Sequence, residues 1–144
     1  VFEQITKLPG QADVKAEETE IGSMIYAVKP GDGSAREQAA SCQRVLLGGA
    51  NIAKEYATKR YRSNLINWGM VPFVTVSAPD FADDDYIFVP NIREALEGSM
   101  VNIPAYVLGE TIKPLTLAIA PLTKEEKDII RAGSLINYNR MLKK

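Results

Sequence analysis

The chain has 144 residues, of which 46% are hydrophobic and 24% charged, and its formal net charge is −1. This length is typical of one domain, and the charge offers no global attraction to nucleic acid or to an anionic membrane. The sequence contains no histidine, which excludes a Ser-His-Asp triad, a His-based zinc site and a histidine acid–base. We therefore expect one domain, residues 1–144, that uses other side chains for any chemistry.

The sequence also carries signals about where the protein works. No apolar run approaches the roughly 18 residues that cross a bilayer, and the first residues do not resemble a signal peptide. The single cysteine, Cys42, cannot form an internal disulfide, which favours a reducing, cytoplasmic setting. The chain starts at Val1 rather than Met, so we expect a processed product or one part of a longer protein.

The first half of the chain is predicted to alternate between strands and helices. Ser34 and Glu37 have the spacing of a helix-capping box, and residues 45–47 are expected to lie on the apolar face of that helix. Pro72 indicates a strand that starts at an edge or turn. We predict a helix end or strand at residues 1–8, a loop at 9–20 and a buried strand at 21–28. A helix at 34–47, a short strand at 51–56, a helix at 58–68 and a strand at 71–76 follow.

The second half is predicted to contain an antiparallel portion followed by helices. Asn91 is expected to cap one helix, and Thr123 with Glu126 forms a second capping-box pattern. We predict an acidic loop at residues 80–85, a strand at 86–89 and a helix at 92–98. A hairpin of two strands at 101–108 and 113–120 follows, and then two helices at 124–132 and 134–143. Together the two halves indicate an α/β fold.

The strongest chemical signal is the Gly-rich turn before the first long helix. The first N–H groups of a helix have no internal partner, so they attract anions, and Gly31 and Gly33 let a ligand approach the backbone. The guanidinium of Arg36 suits a carboxylate, and Ser34 adds a hydroxyl at the same place. The competing interpretation is a plain helix cap, with Arg36 solvated or paired with Asp32. The spacing does not fit a Walker A loop, so nucleotide binding is not expected.

Four blocks in order resemble the aconitase and isopropylmalate isomerase superfamily. The first reads Gly-Asp-Gly-Ser-Ala-Arg-Glu-Gln-Ala-Ala and resembles the family's Gly-x-Gly-Ser-Ser-Arg-Glu-His-Ala signature. The last reads Arg-Ala-Gly-Ser-Leu-Ile-Asn and is similar to the Arg-Ala-Gly-Ser-Ala-Leu-Asn of aconitases. The blocks lie at residues 31–40, 47–52, 62–73 and 131–137.

The resemblance implies a swivelling β/β/α domain like the C-terminal domain of aconitases, an α/β mixed sheet with flanking helices. It implies that Ser34 is the catalytic base, that Arg36 binds a substrate carboxylate, and that Gly33 and Ala35 also contact the substrate. Residues 1–144 would be the substrate-binding domain of a larger hydratase acting on a hydroxy di- or tricarboxylic acid. The [4Fe–4S] cluster would lie in partner domains or a partner subunit, and the isolated chain would be inactive.

Two substitutions depart from the family pattern. Ala35 stands where the family has a second serine, and Gln38 stands where it has a histidine. The family's Asp-His-Ile strand, which precedes this region, is absent. These changes put citrate in doubt as the substrate and favour a divergent hydratase of a related hydroxy acid equally. They also motivate a non-catalytic carboxylate-binding module, and an RNA-binding derivative of the fold is a further alternative.

The remaining polar features are expected to be structural. Cys42 is expected in the core, and the acidic loop is expected to be solvated rather than to bind a cation. A basic and aromatic stretch over residues 54–62 is interpreted as a solvated helix face, so a nucleic-acid partner is not expected. Arg131 and Ser134 either face the cluster-bearing half or simply form a helix end.

Overall fold

The fold is built on one six-stranded mixed sheet in the order β1-β2-β3-β6-β5-β4. The structure, a computed structural model, describes residues 1–75, 77–78 and 80–143. β1, β2 and β3 run parallel, whereas β6, β5 and β4 pair antiparallel. The strands are β1 Ser23–Ala27, β2 Gly48–Ala53, β3 Val71–Val74, β4 Tyr86–Phe88, β5 Ile103–Leu108 and β6 Ile112–Ile119. The expected α/β class with a mixed sheet is confirmed.

The described residues also form six α-helices and a short 3-10 helix, Ala16–Glu18, and two of the α-helices connect the parallel strands. α2 joins β1 to β2 and α3 joins β2 to β3, and the two helices pack against each other. The loops that leave β1 and β2 therefore lie at the same edge of the sheet, beyond the carboxyl ends of the strands. The helices are α1 Phe2–Ile5, α2 Arg36–Val45, α3 Lys59–Asn67, α4 Ile92–Glu97, α5 Lys124–Ala132 and α6 Leu135–Leu142. Within the described ranges, no helix is long and apolar enough to cross a membrane.

The apolar core is divided into three clusters. The largest joins the sheet to α4 and α5, and includes Ile52, Phe73, Leu96, Leu117 and Ile129. A second cluster lies between α2, α3 and the sheet, at Ala40, Tyr61, Leu65 and Met70. The third packs the N-terminal segment against the antiparallel strands, at Ile5, Leu8 and Leu108. The second cluster is the one that supports the Gly-rich turn.

β1 is not the buried strand that the sequence predicted. It forms the edge of the sheet, and Ile25 and Tyr26 are exposed. Residues 45–47 are likewise exposed, at 71–81% of their accessible surface, so they are not part of a core-facing helix surface. The apolar pattern alone could not show this, because it does not specify which strand lacks a neighbour.

Pro72 lies inside the sheet, although its sequence pattern indicated an edge or turn. β3 pairs with β2 from Val71 onwards, but with β6 only at Phe73 and Val74. Because β6 pairing begins after Pro72, the missing proline N–H interrupts no hydrogen bond on that side. The predicted continuation of the strand to Val76 lies outside the described residues.

The capping predictions have mixed outcomes. Thr123 and Glu126 form the expected capping box, because each side chain accepts from the other residue's backbone N–H. Asn91 precedes α4 in the left-handed conformation and makes no capping hydrogen bond. The hairpin between β5 and β6 is confirmed, with full antiparallel register.

Tyr56 ties two central strands together from the loop after β2. Its hydroxyl donates to the carbonyl of Phe73 on β3 at 2.8 Å, and the carbonyl of Asn51 on β2 lies 3.3 Å away. Burial raises the pKa of Tyr56 above its usual range, the neighbouring Tyr61 adds to the increase, and Arg62 opposes it. The phenol is therefore held protonated in the folded protein.

We expect Gly69→Ala to lower the free energy of unfolding by about 3 kcal/mol, which urea unfolding would measure. Gly69 has φ +74, and an added Cβ would overlap the backbone carbonyl of Gly133. Gly10→Ala is the matched control, because Gly10 has φ +75 but nothing within 4 Å of an added Cβ. In Gly10→Ala, the free energy of unfolding should fall by only about 1 kcal/mol, the cost of a non-glycine residue at positive φ. Equal losses in the two variants would contradict the close approach at Gly133.

We expect Tyr56→Phe to destabilise the protein by about 1–2 kcal/mol at pH 8, because a buried hydrogen bond is lost. A raised folded-state pKa stabilises the protein fully below the unfolded pKa of about 10, and that stabilisation declines as the pH rises beyond it. The difference between wild type and variant should therefore shrink by about 1.4 kcal/mol by pH 11. Urea unfolding at pH 8 and pH 11 would measure it, and a constant difference would show that Tyr56 ionises normally in the folded state.

Candidate functional site

The Gly-rich turn between β1 and α2 rests directly on an aromatic ring. Gly31 has φ +95, and a Cβ added there would overlap Cβ, Cγ and Cδ1 of Tyr61. Only glycine combines this conformation with this approach. The first glycine of the motif is therefore required for packing against α3, whereas Gly33 has open space around it and is exposed.

The carbonyl of Gly31 accepts two side-chain hydrogen bonds. Arg36 Nε donates to it at 3.1 Å, and the hydroxyl of Thr58 donates to it at 3.1 Å. Arg36 is half-buried and forms no ion pair with Asp32 or another carboxylate of the described residues. Its two terminal nitrogens therefore stay available for a ligand, which is the arrangement that a bidentate carboxylate contact needs.

α2 begins one residue later than the capping-box pattern predicted. Its first residue is Arg36, its N-cap is Ala35, and no side chain caps it. Ser34 is exposed, and its hydroxyl forms no hydrogen bond with the described part of the chain. The interpretation of Ser34 as a plain helix cap is therefore wrong, because the N-cap position is taken by the next residue, Ala35.

Most of the predicted site residues line one shallow depression of about 420 Å³ at the start of α2. Ser34, Ala35 and Arg36 are among its lining residues. Gly33 adjoins them in the chain but does not line the depression. The first residues of α2, whose N–H groups have no intrahelical partner, line the same depression. Hydroxyl, cation and helix terminus thus meet at one place.

A buried polar cluster behind the turn was not anticipated from the sequence. The hydroxyl of Tyr61 accepts from Gln43 Nε2 at 2.7 Å and from Asn51 Nδ2 at 3.0 Å. Tyr61 is 2% exposed and Asn51 1%. These hydrogen bonds therefore form in a low-dielectric interior, where they are strong and restrict the orientation of the side chains. An asparagine inside an apolar strand was the available signal, since such a side chain needs a buried partner.

The basic and aromatic stretch is not the fully solvated helix face that was expected. Tyr61 is buried, and Tyr56 donates into the sheet. Arg62 donates to the carbonyls of Ala120 and Pro121 at 2.8 and 2.9 Å. Because the two aromatic rings are engaged inside the protein, they offer no stacking surface for nucleic-acid bases.

Cys42 is exposed on α2, contrary to the expectation that it lies in the core. Three thiolates are needed to hold a [4Fe–4S] cluster with one open iron, and the sequence has one cysteine. No group of three or more His, Cys, Asp or Glu side chains within the described ranges is arranged to hold a metal ion. This chain therefore does not itself supply the ligands for a [4Fe–4S] cluster, which the family resemblance places in a partner domain or subunit.

Arg131 and Ser134 have structural partners in this chain. Arg131 pairs with Glu97 and with Asp128, and Ser134 accepts from the N–H of Asn137 at 3.1 Å to cap α6. Arg131 thus ties α5 to α4, and Ser134 forms the start of α6.

A second, larger cleft of about 1500 Å³ lies elsewhere on the molecule. It is lined by the N-terminal segment, one face of the sheet and α4, and contains none of the predicted site residues. Size alone would favour this cleft as a ligand site. We take the smaller depression as the candidate site, because it combines the half-buried Arg36, the exposed hydroxyl of Ser34 and the uncapped start of α2.

No family model and no curated protein matches the sequence. The structure is similar to a crystal structure of 3-isopropylmalate dehydratase from Methanocaldococcus jannaschii, with a TM-score of 0.57 and 26% sequence identity. The similarity covers 88% of this chain and 68% of that chain. Together with the four motif blocks, this match confirms the resemblance to the aconitase and isopropylmalate isomerase superfamily, and the chain has the fold of its swivel domain.

Proposed function

We propose that this chain is the substrate-binding and catalytic-base part of an aconitase-like hydro-lyase. Such an enzyme reversibly removes water from a hydroxy di- or tricarboxylic acid. The observation that carries the proposal is the meeting of Ser34, Arg36 and the N-terminus of α2 in one depression. The similarity to a 3-isopropylmalate dehydratase supports the same class of reaction.

Arg36 is assigned to bind a substrate carboxylate. Its Nε is occupied by the Gly31 carbonyl, so the plane of the guanidinium is set before the substrate arrives. A guanidinium that is already oriented loses little conformational freedom when it forms two parallel hydrogen bonds with a carboxylate. The positive end of the α2 dipole adds to the attraction.

Ser34 is assigned to take the proton from the carbon next to that carboxylate. A neutral hydroxyl is a weak base, so the group must act as an alkoxide stabilised by the helix N–H groups and the guanidinium. As the C–H bond breaks, the proton moves to Ser34 Oγ. The electron pair forms the C=C bond while the hydroxyl leaves the neighbouring carbon. The acid that receives this hydroxyl is not supplied by the depression, so we assign it to a partner.

The substrate is proposed to differ from citrate. Ala35 removes one hydroxyl from the depression and Gln38 provides an amide instead of a titratable ring. Fewer donors suit a substrate with fewer polar groups, and 3-isopropylmalate, named for the similar protein, is one candidate. Gly33 is assigned to allow close approach of that substrate to the backbone, because nothing lies within 4 Å of a Cβ added there.

The partner is proposed to carry the [4Fe–4S] cluster, as a further domain or a separate subunit. This chain lacks the thiolates for it, so we expect no turnover by residues 1–144 alone. The exposed, unpaired thiol of Cys42 suits a reducing compartment, and we propose a cytoplasmic setting for the assembled enzyme.

We expect Ser34→Ala to reduce kcat of the assembled enzyme by at least about 1,000-fold, because the proposed base is removed. Ser41→Ala is the matched control. Ser41 lines the same depression, but its hydroxyl donates within α2 to the carbonyl of Gln38, so its loss should change kcat less than about 3-fold. Steady-state dehydration of 3-isopropylmalate and of citrate would measure both variants. Normal turnover by Ser34→Ala would refute the base assignment, and a folded enzyme that binds these acids without converting them would favour the non-catalytic alternative.

We expect Arg36→Lys to raise KM by about 10- to 100-fold, because a charge-assisted hydrogen bond contributes about 1.5–3 kcal/mol. Lysine keeps the charge but can neither fork onto a carboxylate nor bond Gly31 in the same way. Arg60→Lys is the control, since Arg60 is exposed on α3 and outside the depression. An unchanged KM in Arg36→Lys, or an equal increase in the control, would show that Arg36 does not hold the substrate.

A further inference from the structure

Thr58 connects the start of α3 to the Gly-rich turn through one hydroxyl. Its Oγ1 accepts from the N–H of Tyr61 at 3.2 Å and so caps α3. The hydroxyl hydrogen is then available for the carbonyl of Gly31, 3.1 Å away. A hydroxyl has one hydrogen and can accept at the same time, so both bonds form together.

The second of these bonds reaches the proposed substrate-binding cation. The carbonyl that Thr58 holds is the one that accepts from Arg36 Nε at 3.1 Å. The direction of the carbonyl sets where Nε points, and the planar guanidinium then has one orientation for its terminal nitrogens. Thr58 therefore acts on Arg36 through the backbone of Gly31.

Backbone bonds from outside the turn reach as far as Pro30, whose carbonyl accepts from the N–H of Ala57 at 2.9 Å. The next carbonyl, that of Gly31, is held by side chains. Residues 32–35 are exposed, and their side chains form no hydrogen bonds with the described residues. The ring of Tyr61 blocks one side of Gly31, but an apolar contact does not fix the direction of a carbonyl. A directional bond is required, and Thr58 supplies one from outside the turn.

We propose that Thr58 is a positioning residue that orients Arg36 for the substrate carboxylate. This inference rests on the proposed function for its effect on the substrate, and on the observed contacts for its effect on Arg36. Removing the hydroxyl should weaken substrate binding. It should affect proton transfer far less, because Arg36 keeps its charge at the depression and the helix N–H groups next to Ser34 are unchanged. The expected result is therefore a change in KM with little change in kcat.

Thr58→Val is the first variant, because it has the same shape without the hydroxyl. In the assembled enzyme, we expect KM for 3-isopropylmalate or citrate to rise about 10-fold and kcat to change less than about 3-fold. Hydrogen exchange of Arg36 Nε–H, followed by NMR, should become about 10-fold faster. The NMR measurement uses the same assembly with this chain isotopically labelled. Thr58→Ser keeps the hydroxyl and should restore both readings to near wild type.

Thr123→Val is the control for lost helix capping. It removes the same kind of cap from α5, where Thr123 accepts from the N–H of Glu126 at 3.1 Å, and should leave KM and Arg36 exchange unchanged. If Thr58→Val does not fold, Thr58→Gly replaces it, because glycine is tolerated at the N-cap and also lacks the hydroxyl.

Wild-type KM or wild-type Arg36 exchange in the folded Thr58 variant would overturn the inference. An equal rise of KM in Thr123→Val would overturn it as well, because the effect would then belong to helix capping in general. Failure of the proposed function is distinguishable from both results. It would appear as absent turnover in the wild-type assembly, and the exchange of Arg36 Nε–H would then decide alone whether Thr58 orients that side chain.

Discussion

The contact between Gly31 and the ring of Tyr61 is the constraint on which the candidate site depends. It brings the turn after β1 within hydrogen-bonding distance of Thr58 at the start of α3. Without that approach, the carbonyl of Gly31 could not accept from Thr58 and Arg36 at once. Two crossover helices that begin at the same edge of a parallel sheet make the contact possible. The glycine is then the only residue that permits it.

The ring itself is held by polar bonds rather than by apolar packing alone. The hydroxyl of Tyr61 accepts from Gln43 on α2 and from Asn51 on β2. A buried hydroxyl that lost these donors would be destabilising, so the ring has one strongly preferred position. This fixes α2, α3 and β2 relative to one another beneath the turn. The geometry at Arg36 is therefore a property of the domain core, not of the loop.

The sequence predicted the local features well and the long-range ones poorly. The capping box at Thr123 formed because its two partners lie in one helical turn. The same pattern at Ser34 gave no cap: the N-cap of α2 is Ala35, and the turn before it packs against Tyr61, far along the chain. The exposure of β1 followed from its place at the sheet edge, which no local pattern encodes. The motif resemblance indicated the candidate site because it drew on the order and spacing of distant blocks.

The uncapped start of α2 bears on what the turn is for. Alanine is a poor N-cap, and Ala35 leaves the helix about 1 kcal/mol less stable than a serine at that position would. A capping serine would also occupy the first N–H groups of the helix. With Ala35 as the N-cap, those N–H groups and the hydroxyl of Ser34 both remain available at the depression. The stability lost at Ala35 falls at the depression where we propose that a carboxylate binds, and it leaves the start of the helix without a side-chain partner.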